Sequence, residues 1–202
     1  MSIRVIGITG GIASGKSTAS NMIREMGFTL IDADYASRVV VEPGQKAYGE
    51  IVDRFGESIL REDGALDREK LGAIIFTDAE KRKQLNEIVH PAVRAYMNEK
   101  KEEAFKRGEK TVFLDIPLLF ESKLTHMVDK TVLIYVDDEV QLQRLMARNN
   151  LSEQQAKARI NSQMPLSEKK ALADEVINNN SDIGHTREQL ISVLNKWGIL
   201  PG

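Results

Sequence analysis

The sequence predicts an α/β fold in which helices cover both faces of a parallel β-sheet. Apolar, β-branched runs of strand length recur along the chain, and residues 131–136 form the most continuous of them. Segments with helical spacing separate these runs, as a parallel sheet requires. The first run, residues 3–9, leads into a glycine-rich loop and then into a helix. This order of elements is typical of α/β proteins that bind phosphorylated ligands.

The composition is that of an ordinary globular protein. The chain has 202 residues, 42% of them hydrophobic and 29% charged, with a net charge of −2. No global basic field suggests a nucleic-acid partner. Disulfides, thiolate catalysis and cysteine-based zinc sites are excluded because there is no cysteine. We see no signal peptide and no apolar run of membrane length, so we expect a cytoplasmic protein without a membrane partner.

The glycine-rich loop, Gly10 to Ser17, fits the phosphate-binding pattern G-x-x-x-x-G-K-[ST]. Its glycines let successive backbone N–H groups turn inward, and the next helix adds the positive end of its dipole. Lys16 supplies a mobile charge for the β- and γ-phosphates, and the Ser17 hydroxyl is a ligand for Mg²⁺. The predicted nucleotide-binding residues are therefore Gly11, Ile12, Ala13, Ser14, Gly15, Lys16, Ser17 and Thr18.

The first half of the chain carries several further helices and one further strand before the next apolar strand. Helical spacing, caps and breakers predict a strand at 28–31 and helices at 17–26, 35–41 (with Asp34 as N-cap), 46–55 and 67–76. A capping box at 77–80 opens a charged helix or helix pair that runs to 107, with a kink or break near 89–90 because Pro91 interrupts it. The strand at 111–114 ends at Asp115.

The second half returns to alternation around the strand at 131–136. Helices are predicted at 139–148, at 152–163 from a capping box on Ser152, and at 168–173. A short strand at 175–177 precedes a last helix, for which a capping box at 186–189 predicts the start.

Two helical stretches do not fit simple alternation, and they divide the chain. Residues 35–108 are one long insertion, in which we expect a helical acceptor-binding region, and residues 141–172 are a second, in which we expect a mobile lid. The nucleotide-binding core would then comprise residues 1–34, 109–140 and 173–202.

Carboxylates follow two of the predicted strands. Ligands of open α/β sheets bind beyond the carboxyl ends of the strands, so Asp32 should lie near the phosphate loop, and Asp34 projects to the same side. Asp32 would accept the proton of an attacking hydroxyl or help to position Mg²⁺; alternatively, it only ends a strand and Asp34 only caps a helix. Asp115 stands where a Walker-B carboxylate would hold Mg²⁺, or it only serves the turn after its strand.

Arg144 and Arg148 lie four residues apart on one predicted helix face. Guanidinium groups clamp phosphates and stabilise a transferring phosphoryl group, although a solvated helix face is the alternative.

Several segments together resemble the dephospho-CoA kinase family. They are the strand and phosphate loop at 7–17, Ile31-Asp32-Ala33-Asp34, His90-Pro91-Ala92-Val93-Arg94 and Asp115-Ile116-Pro117-Leu118-Leu119-Phe120-Glu121, with further matches at 141–145, 159–164 and 173–177. The phosphate loop alone is unspecific, but the other motifs are highly specific and follow in collinear order over nearly the whole chain. Two departures are Ala13, where many members have Gly, and residues 178–181, where members have Asn followed by Gly.

The resemblance implies a P-loop kinase core that transfers the γ-phosphoryl group of ATP to the 3′-hydroxyl of the dephospho-CoA ribose, the last step of coenzyme A synthesis. It implies Asp32 as general base, Lys16 and Ser17 for phosphate and Mg²⁺, Asp32 and Asp115 near that metal, and Arg144 and Arg148 as lid arginines near ATP. The residues implied for the acceptor site are Asp34, His90, Arg94, Asp115, Pro117, Leu118 and Glu121. A monomer or a small homo-oligomer is expected.

Two other functions remain open from the residues. One is a P-loop kinase of another small metabolite, which a panel of acceptors would distinguish. The other is a nucleotide-dependent switch, for which the Asn-Lys-x-Asp motif of guanine specificity is missing from the sequence.

Overall fold

The computed structural model describes residues 4–199 and contains one five-stranded sheet in the order β2-β3-β1-β4-β5. The strands are β1 (Val5–Gly10), β2 (Thr29–Asp32), β3 (Val112–Asp115), β4 (Lys130–Tyr135) and β5 (Glu175–Asn178). Strand β1 pairs in parallel with β3 and β4, and β4 pairs in parallel with β5. The predicted α/β class with a parallel sheet is confirmed.

The α-helices of residues 4–199 follow β1 and β5 singly and follow β2 and β4 in groups. They are α1 (Lys16–Glu25), α2 (Ala33–Val39), α3 (Lys46–Phe55), α4 (Arg68–Thr77), α5 (Ala79–Lys106), α6 (Asp138–Asn149), α7 (Glu153–Ile160), α8 (Leu166–Leu172) and α9 (Ile183–Lys196). Among the described residues, no helix combines the length and the apolar character that crossing a membrane requires.

The described chain divides into two compact units. The first contains the residues up to Ile31 and those from Ala104 onward, and the second contains residues 32–103. Helices α6, α7 and α8, which include the predicted lid, belong to the first unit.

Each unit has a hydrophobic core of its own. In the first, the apolar faces of β1, α1 and α9 pack together through residues that are almost completely buried, among them Ile6, Ile8, Ile23, Leu190 and Leu194. In the second, the core is formed by Ile51, Ile59, Leu66, Leu71 and Leu85. Burial of each such side chain contributes about 1.5–3 kcal/mol, so each unit gains substantial stability from its own packing.

Three predicted helix starts were wrong by a few residues. Helix α2 begins at Ala33, and its N-cap is Asp32 rather than Asp34. Helix α5 is capped by the side chain of Asp78, which accepts from two backbone N–H groups, and not by a Thr77 capping box. Helix α9 is capped by Asp182, so that Thr186 lies inside the helix. By contrast, the capping box on Ser152 is confirmed.

Helix α5 excludes one of the two alternatives predicted at Pro91, a break into a helix pair, whereas the kink stays a prediction. It is one continuous helix of 28 residues that contains Pro91 in its interior. Proline removes one i→i−4 hydrogen bond and crowds the preceding turn, which alone favours a break. Here the other residues of a long helix, including buried Leu85 and Met97, keep the helix continuous.

Candidate active site at the phosphate loop

The phosphate loop connects the end of β1 to the start of α1. The backbone N–H of Ser14 donates to the carbonyl of Gly11 at 3.1 Å and closes a turn. Gly15 then caps α1 with a φ of 88°, in the left-handed region that side chains disfavour. A Cβ atom at Gly15 would lie 2.0 Å from Nδ2 of Asn179. Only glycine therefore fits this position.

The loop leaves a row of backbone donors without internal partners. Within the described residues, the N–H groups of Ala13, Gly15, Lys16 and Ser17 make no hydrogen bond. Those of Lys16 and Ser17 belong to the first turn of α1, where the helix dipole also favours an anion. The predicted anion-binding loop thus has the free donors that its chemistry needs.

Lys16 and Asp115 meet behind this loop. The Lys16 ammonium forms an ion pair with Oδ1 of Asp115, while Ser20 Oγ donates to Oδ2 of the same carboxylate at 2.7 Å. Asp115 is buried at 2% exposure, whereas the Lys16 side chain is 17% exposed. The lysine charge is consequently held at the loop and still reaches solvent.

The Ser17 hydroxyl at the loop fits a magnesium ion that is bound together with phosphates. Mg²⁺ takes few protein oxygens and completes its shell with water and substrate phosphates. The Ser17 side chain is exposed, and its hydroxyl makes no hydrogen bond within residues 4–199. Those residues contain no cluster of three acidic or histidine side chains that would hold a metal alone.

The two predicted lid arginines differ in their surroundings. Both lie on α6, but Arg144 is half-buried, and one of its guanidinium nitrogens lies 3.9 Å from the position that a Gly15 Cβ would take. Arg148 is exposed, and its Nε donates to Asn149 Oδ1 at 2.9 Å. Arg144 therefore faces the phosphate loop, and Arg148 has no contact with it among the described contacts.

The segment after β3 lies beside the start of the loop. The Pro117 carbonyl accepts from Thr9 Oγ1 at 3.0 Å, and Leu118 is 42% exposed. Glu121 accepts from the backbone N–H of Met164 at 3.3 Å and forms an ion pair of 2.7 Å with Lys169. The proposed acceptor contacts of this segment stay predictions.

Several polar residues that contact the phosphate loop escaped the sequence analysis. Lys169 is completely buried on α8, and its ammonium donates to the Gly10 carbonyl at 2.9 Å. Amides on three further segments also bind the loop, namely Gln141, Gln163 and Asn179. Each contact joins residues more than 100 positions apart, so the local sequence pattern gave no signal for it.

In the second unit, the Asp32 carboxylate caps α2. Its Oδ1 accepts from the backbone N–H groups of Asp34 and Tyr35 at 2.8 and 3.0 Å. The other oxygen, Oδ2, makes no hydrogen bond within the described residues of this unit. Asp34 follows inside the helix, where its carbonyl accepts from Ser37 Oγ at 2.8 Å.

His90 and Arg94 are brought together on α5, also in the second unit. They line one groove of about 520 Å³ together with Arg82, Lys83 and Glu87. His90 lies eight residues after Arg82 and four before Arg94, and all three side chains line the same groove. This groove carries more cationic than anionic side chains, which suits an anionic ligand.

A parallel sheet whose first strand leads through this loop into α1 defines the class of P-loop nucleotide-binding proteins. Comparison with known proteins specifies the class further. The model of the dephospho-CoA kinase family matches residues 4–185, and the chain belongs to this family.

Individual relatives and solved structures agree with this family assignment. A dephospho-CoA kinase of Bacillus thuringiensis subsp. konkukian is 58% identical over 196 residues, which are 97% of this chain and 98% of that protein. Among solved structures, a Thermus thermophilus protein superimposes with a TM-score of 0.81 at 32% identity, covering 97% of this chain and 98% of its own. The dephospho-CoA kinase of Campylobacter jejuni has a TM-score of 0.73 at 32% identity and coverage of 95% and 96%.

Proposed function

We propose that this protein transfers the γ-phosphoryl group of ATP to the 3′-hydroxyl of the dephospho-CoA ribose, giving coenzyme A and ADP. The observation that carries the proposal is the phosphate loop, with free inward N–H groups and Lys16 held beside them by Asp115. Membership of the dephospho-CoA kinase family supports the choice of acceptor over another small metabolite.

Phosphoryl transfer of this kind depends on positioning and charge neutralisation rather than covalent chemistry. The loop N–H groups would hold the β-phosphate, and Lys16 would share its charge between Asp115 and the phosphate oxygens. A bound Mg²⁺, held by the Ser17 hydroxyl and by phosphate, would neutralise charge on the nucleotide. Arg144 would act on the same phosphates, which its partial burial and its proximity to Gly15 support.

Asp32 is the proposed general base. The cap on α2 fixes one carboxylate oxygen and thereby the orientation of the group, while Oδ2 remains available to accept a proton. Asp32 is the last residue of β2, and ligands of open α/β sheets bind beyond the carboxyl ends of such strands.

The groove on α5 is the proposed site for the anionic part of the acceptor. Dephospho-CoA carries a diphosphate, and guanidinium groups bind phosphate oxygens in pairs. Arg82 and Arg94 line the groove with His90 between them. This arrangement supports the predicted roles of His90 and Arg94 and adds Arg82 to them.

An ADP-release assay with and without dephospho-CoA tests the proposed function. We expect ADP release to depend on dephospho-CoA and the product to carry a new 3′-phosphate. Release that is equal without an acceptor, or that depends instead on another alcohol from an acceptor panel, would contradict it.

We also propose a cytoplasmic location, supported by the composition without cysteine.

A further inference from the structure

The carbonyl groups of the phosphate loop are bound from outside in an alternating pattern. Lys169 Nζ donates to the Gly10 carbonyl at 2.9 Å. Gln141 Nε2 donates to the Ile12 carbonyl at 2.9 Å, and Asn179 Nδ2 donates to the Ser14 carbonyl at 2.8 Å. Three side chains from three different segments thus bind every second carbonyl of residues 10–14.

All three donors are buried. Lys169 is 0%, Gln141 3% and Asn179 7% exposed. A buried amide or ammonium group is costly unless it is hydrogen-bonded, and removal of its partner leaves an unsatisfied group. Their burial against the loop therefore holds them in these contacts rather than in exchange with water.

Lys169 is the strongest case because it carries a full charge. Its ammonium lies 2.9 Å from the Gly10 carbonyl, 3.5 Å from the Pro117 carbonyl and 2.7 Å from Glu121 Oε1. A buried ion pair is weak support for stability by itself, since apolar replacements of both partners are often neutral. The hydrogen bond from Lys169 instead fixes the direction of the Gly10 carbonyl at the start of the loop.

Further hydrogen bonds hold the Asn179 amide and the backbone of Ile12 in place. Asn179 Oδ1 accepts from Thr186 Oγ1 at 2.7 Å, and Thr186 is completely buried on α9. Ile12 is bound on both sides, because its N–H donates to Gln163 Oε1 at 2.8 Å while its carbonyl accepts from Gln141. The Asn179 amide is therefore bound at both of its polar atoms, and the backbone of Ile12 is bound on both sides.

A peptide group that turns its carbonyl outward turns the N–H on its other side inward. The bound carbonyls of Ile12 and Ser14 belong to the same peptide groups as the N–H groups of Ala13 and Gly15, which are free within the described residues. We propose that Lys169, Gln141 and Asn179 are positioning residues that hold the phosphate loop in its anion-binding conformation before the nucleotide arrives. The inference rests on the proposed function only in that the loop binds nucleotide phosphates.

Neutral variants test the proposal without adding charge near the phosphates. Gln141→Met removes the donor and keeps the length of the side chain, and Gln143→Met on the exposed side of α6 is its matched control. Lys169→Met is matched by Lys170→Met, because Lys170 is exposed on the same helix and lies over the Tyr135 ring. The readouts are the Kd for ADP with Mg²⁺ by calorimetry, the Kd for pyrophosphate, the KM for dephospho-CoA and the circular dichroism of each variant.

We expect Gln141→Met and Lys169→Met to raise the Kd of ADP and of pyrophosphate about tenfold, which corresponds to the loss of one buried hydrogen bond. In Gln141→Met, the KM for dephospho-CoA should stay within about twofold of the parent, and so should every readout of the two control variants. A merely structural role would lower the unfolding temperature without this selective loss of phosphate affinity. Folded variants with unchanged ADP and pyrophosphate affinity would overturn the proposal.

A double variant separates positioning from simple charge. Lys169→Met with Glu121→Gln removes both charges of the pair and keeps the local net charge, but it does not restore the hydrogen bond to Gly10. Weak ADP binding should therefore persist in the double variant. Recovery of parental affinity would show that Lys169 acts only through its charge and would overturn its role as a positioning residue. If Lys169→Met does not fold, Gln141→Met decides the matter alone.

Discussion

At the scale of single residues, the Asp32 carboxylate combines a structural and a proposed chemical role. One oxygen caps α2, and the other is left for a proton. Asparagine is as good an N-cap as aspartate but is not a base at neutral pH. Asp32→Asn should therefore lower kcat by about 10²- to 10⁴-fold while the KM for ATP changes little. Steady-state kinetics with both substrates measure this.

Asp67 provides a matched control for Asp32. It caps α4 in the same way, through an Oδ1 that accepts from two backbone N–H groups at 3.1 and 3.0 Å. Asp67→Asn makes the same chemical change at a second cap and should leave kcat at the parental value. Near-normal turnover in Asp32→Asn would remove Asp32 as the base, and an equal loss in both variants would assign the effect to capping.

Lys16 is predicted to matter for both turnover and stability. Lys16→Ala should lower kcat by about 10²- to 10³-fold because a charge on the transferring phosphoryl group loses its partner. It also leaves the buried Asp115 carboxylate with Ser20 alone. We therefore expect the free energy of unfolding to fall by on the order of 2 kcal/mol, measured by denaturant titration.

The double variant Lys16→Ala with Asp115→Asn tests whether the unpaired Asp115 charge causes this loss of stability. It removes the unpaired buried charge, so it should regain part of the stability but none of the turnover. A single variant as stable as the parent, or a double variant that is less stable than the single one, would contradict the account of the pair.

At the scale of elements, Asp174 connects the start of β5 to β4. Its carboxylate accepts from the backbone N–H and the hydroxyl of Thr131, both at 2.8 Å, and pairs with the Lys130 ammonium at 2.8 Å. Burial alone would raise the pKa of Asp174, but the hydrogen bonds from Lys130 and Thr131 together lower it below its ordinary value of 3.8. The charged form is thus favoured in the folded state.

This shift gives a pH dependence with a definite sign. Because the unfolded chain binds the proton more readily, the stabilisation by Asp174 is present above pH 3.8 and is lost as the pH falls below that value. Asp174→Asn should lower the free energy of unfolding by on the order of 1 kcal/mol at pH 7, with a smaller difference in acid. Asp53→Asn, at an exposed residue of α3, is the control. A difference from the parent that does not shrink in acid would contradict this reason.

The element boundaries mark what local sequence could predict. The strands were found because buried parallel strands are continuous apolar runs, as in β4. Caps were placed less well, since Asp32, Asp78 and Asp182 each lie within four residues of another residue that also fits a cap. Thr186 fitted a capping box by spacing, but the buried amide of Asn179 is its partner in the structure. Local sequence thus offers neighbouring residues that fit an N-cap almost equally well, and tertiary contacts such as the one between Thr186 and Asn179 decide between them.

At the scale of the whole molecule, the sequence predicted the loop and its chemistry but not its supports. Lys16, Ser17 and Gly15 follow a spacing that is read directly, whereas Lys169 and Gln141 bind the loop across more than 120 residues of chain. A buried lysine also contradicts the expectation from composition that lysines are solvated. Only the fold determines which of 28 cationic side chains is buried.

The same contacts limit how much of the predicted lid, residues 141–172, is able to move. Its segment reaches the phosphate loop through Gln141 at one end and through Gln163 and Lys169 at the other. If a lid moves, we therefore expect the moving part to be the residues between Gln141 and Gln163, which include Arg144 and Arg148. Whether this part closes over ATP stays a prediction.

The two compact units lead to a last prediction, that the two substrates protect different parts of the chain. The phosphate loop belongs to the first unit and the cationic groove on α5 to the second. Bound ligand slows amide hydrogen exchange where it removes local opening. ADP with Mg²⁺ should therefore slow exchange in residues 10–18, and dephospho-CoA alone should slow it in residues 79–94. Arg82→Ala should abolish the second effect and keep the first, because Arg82 lines the groove and not the loop. Protection by dephospho-CoA that spares residues 79–94 would place the acceptor elsewhere while leaving the nucleotide site intact.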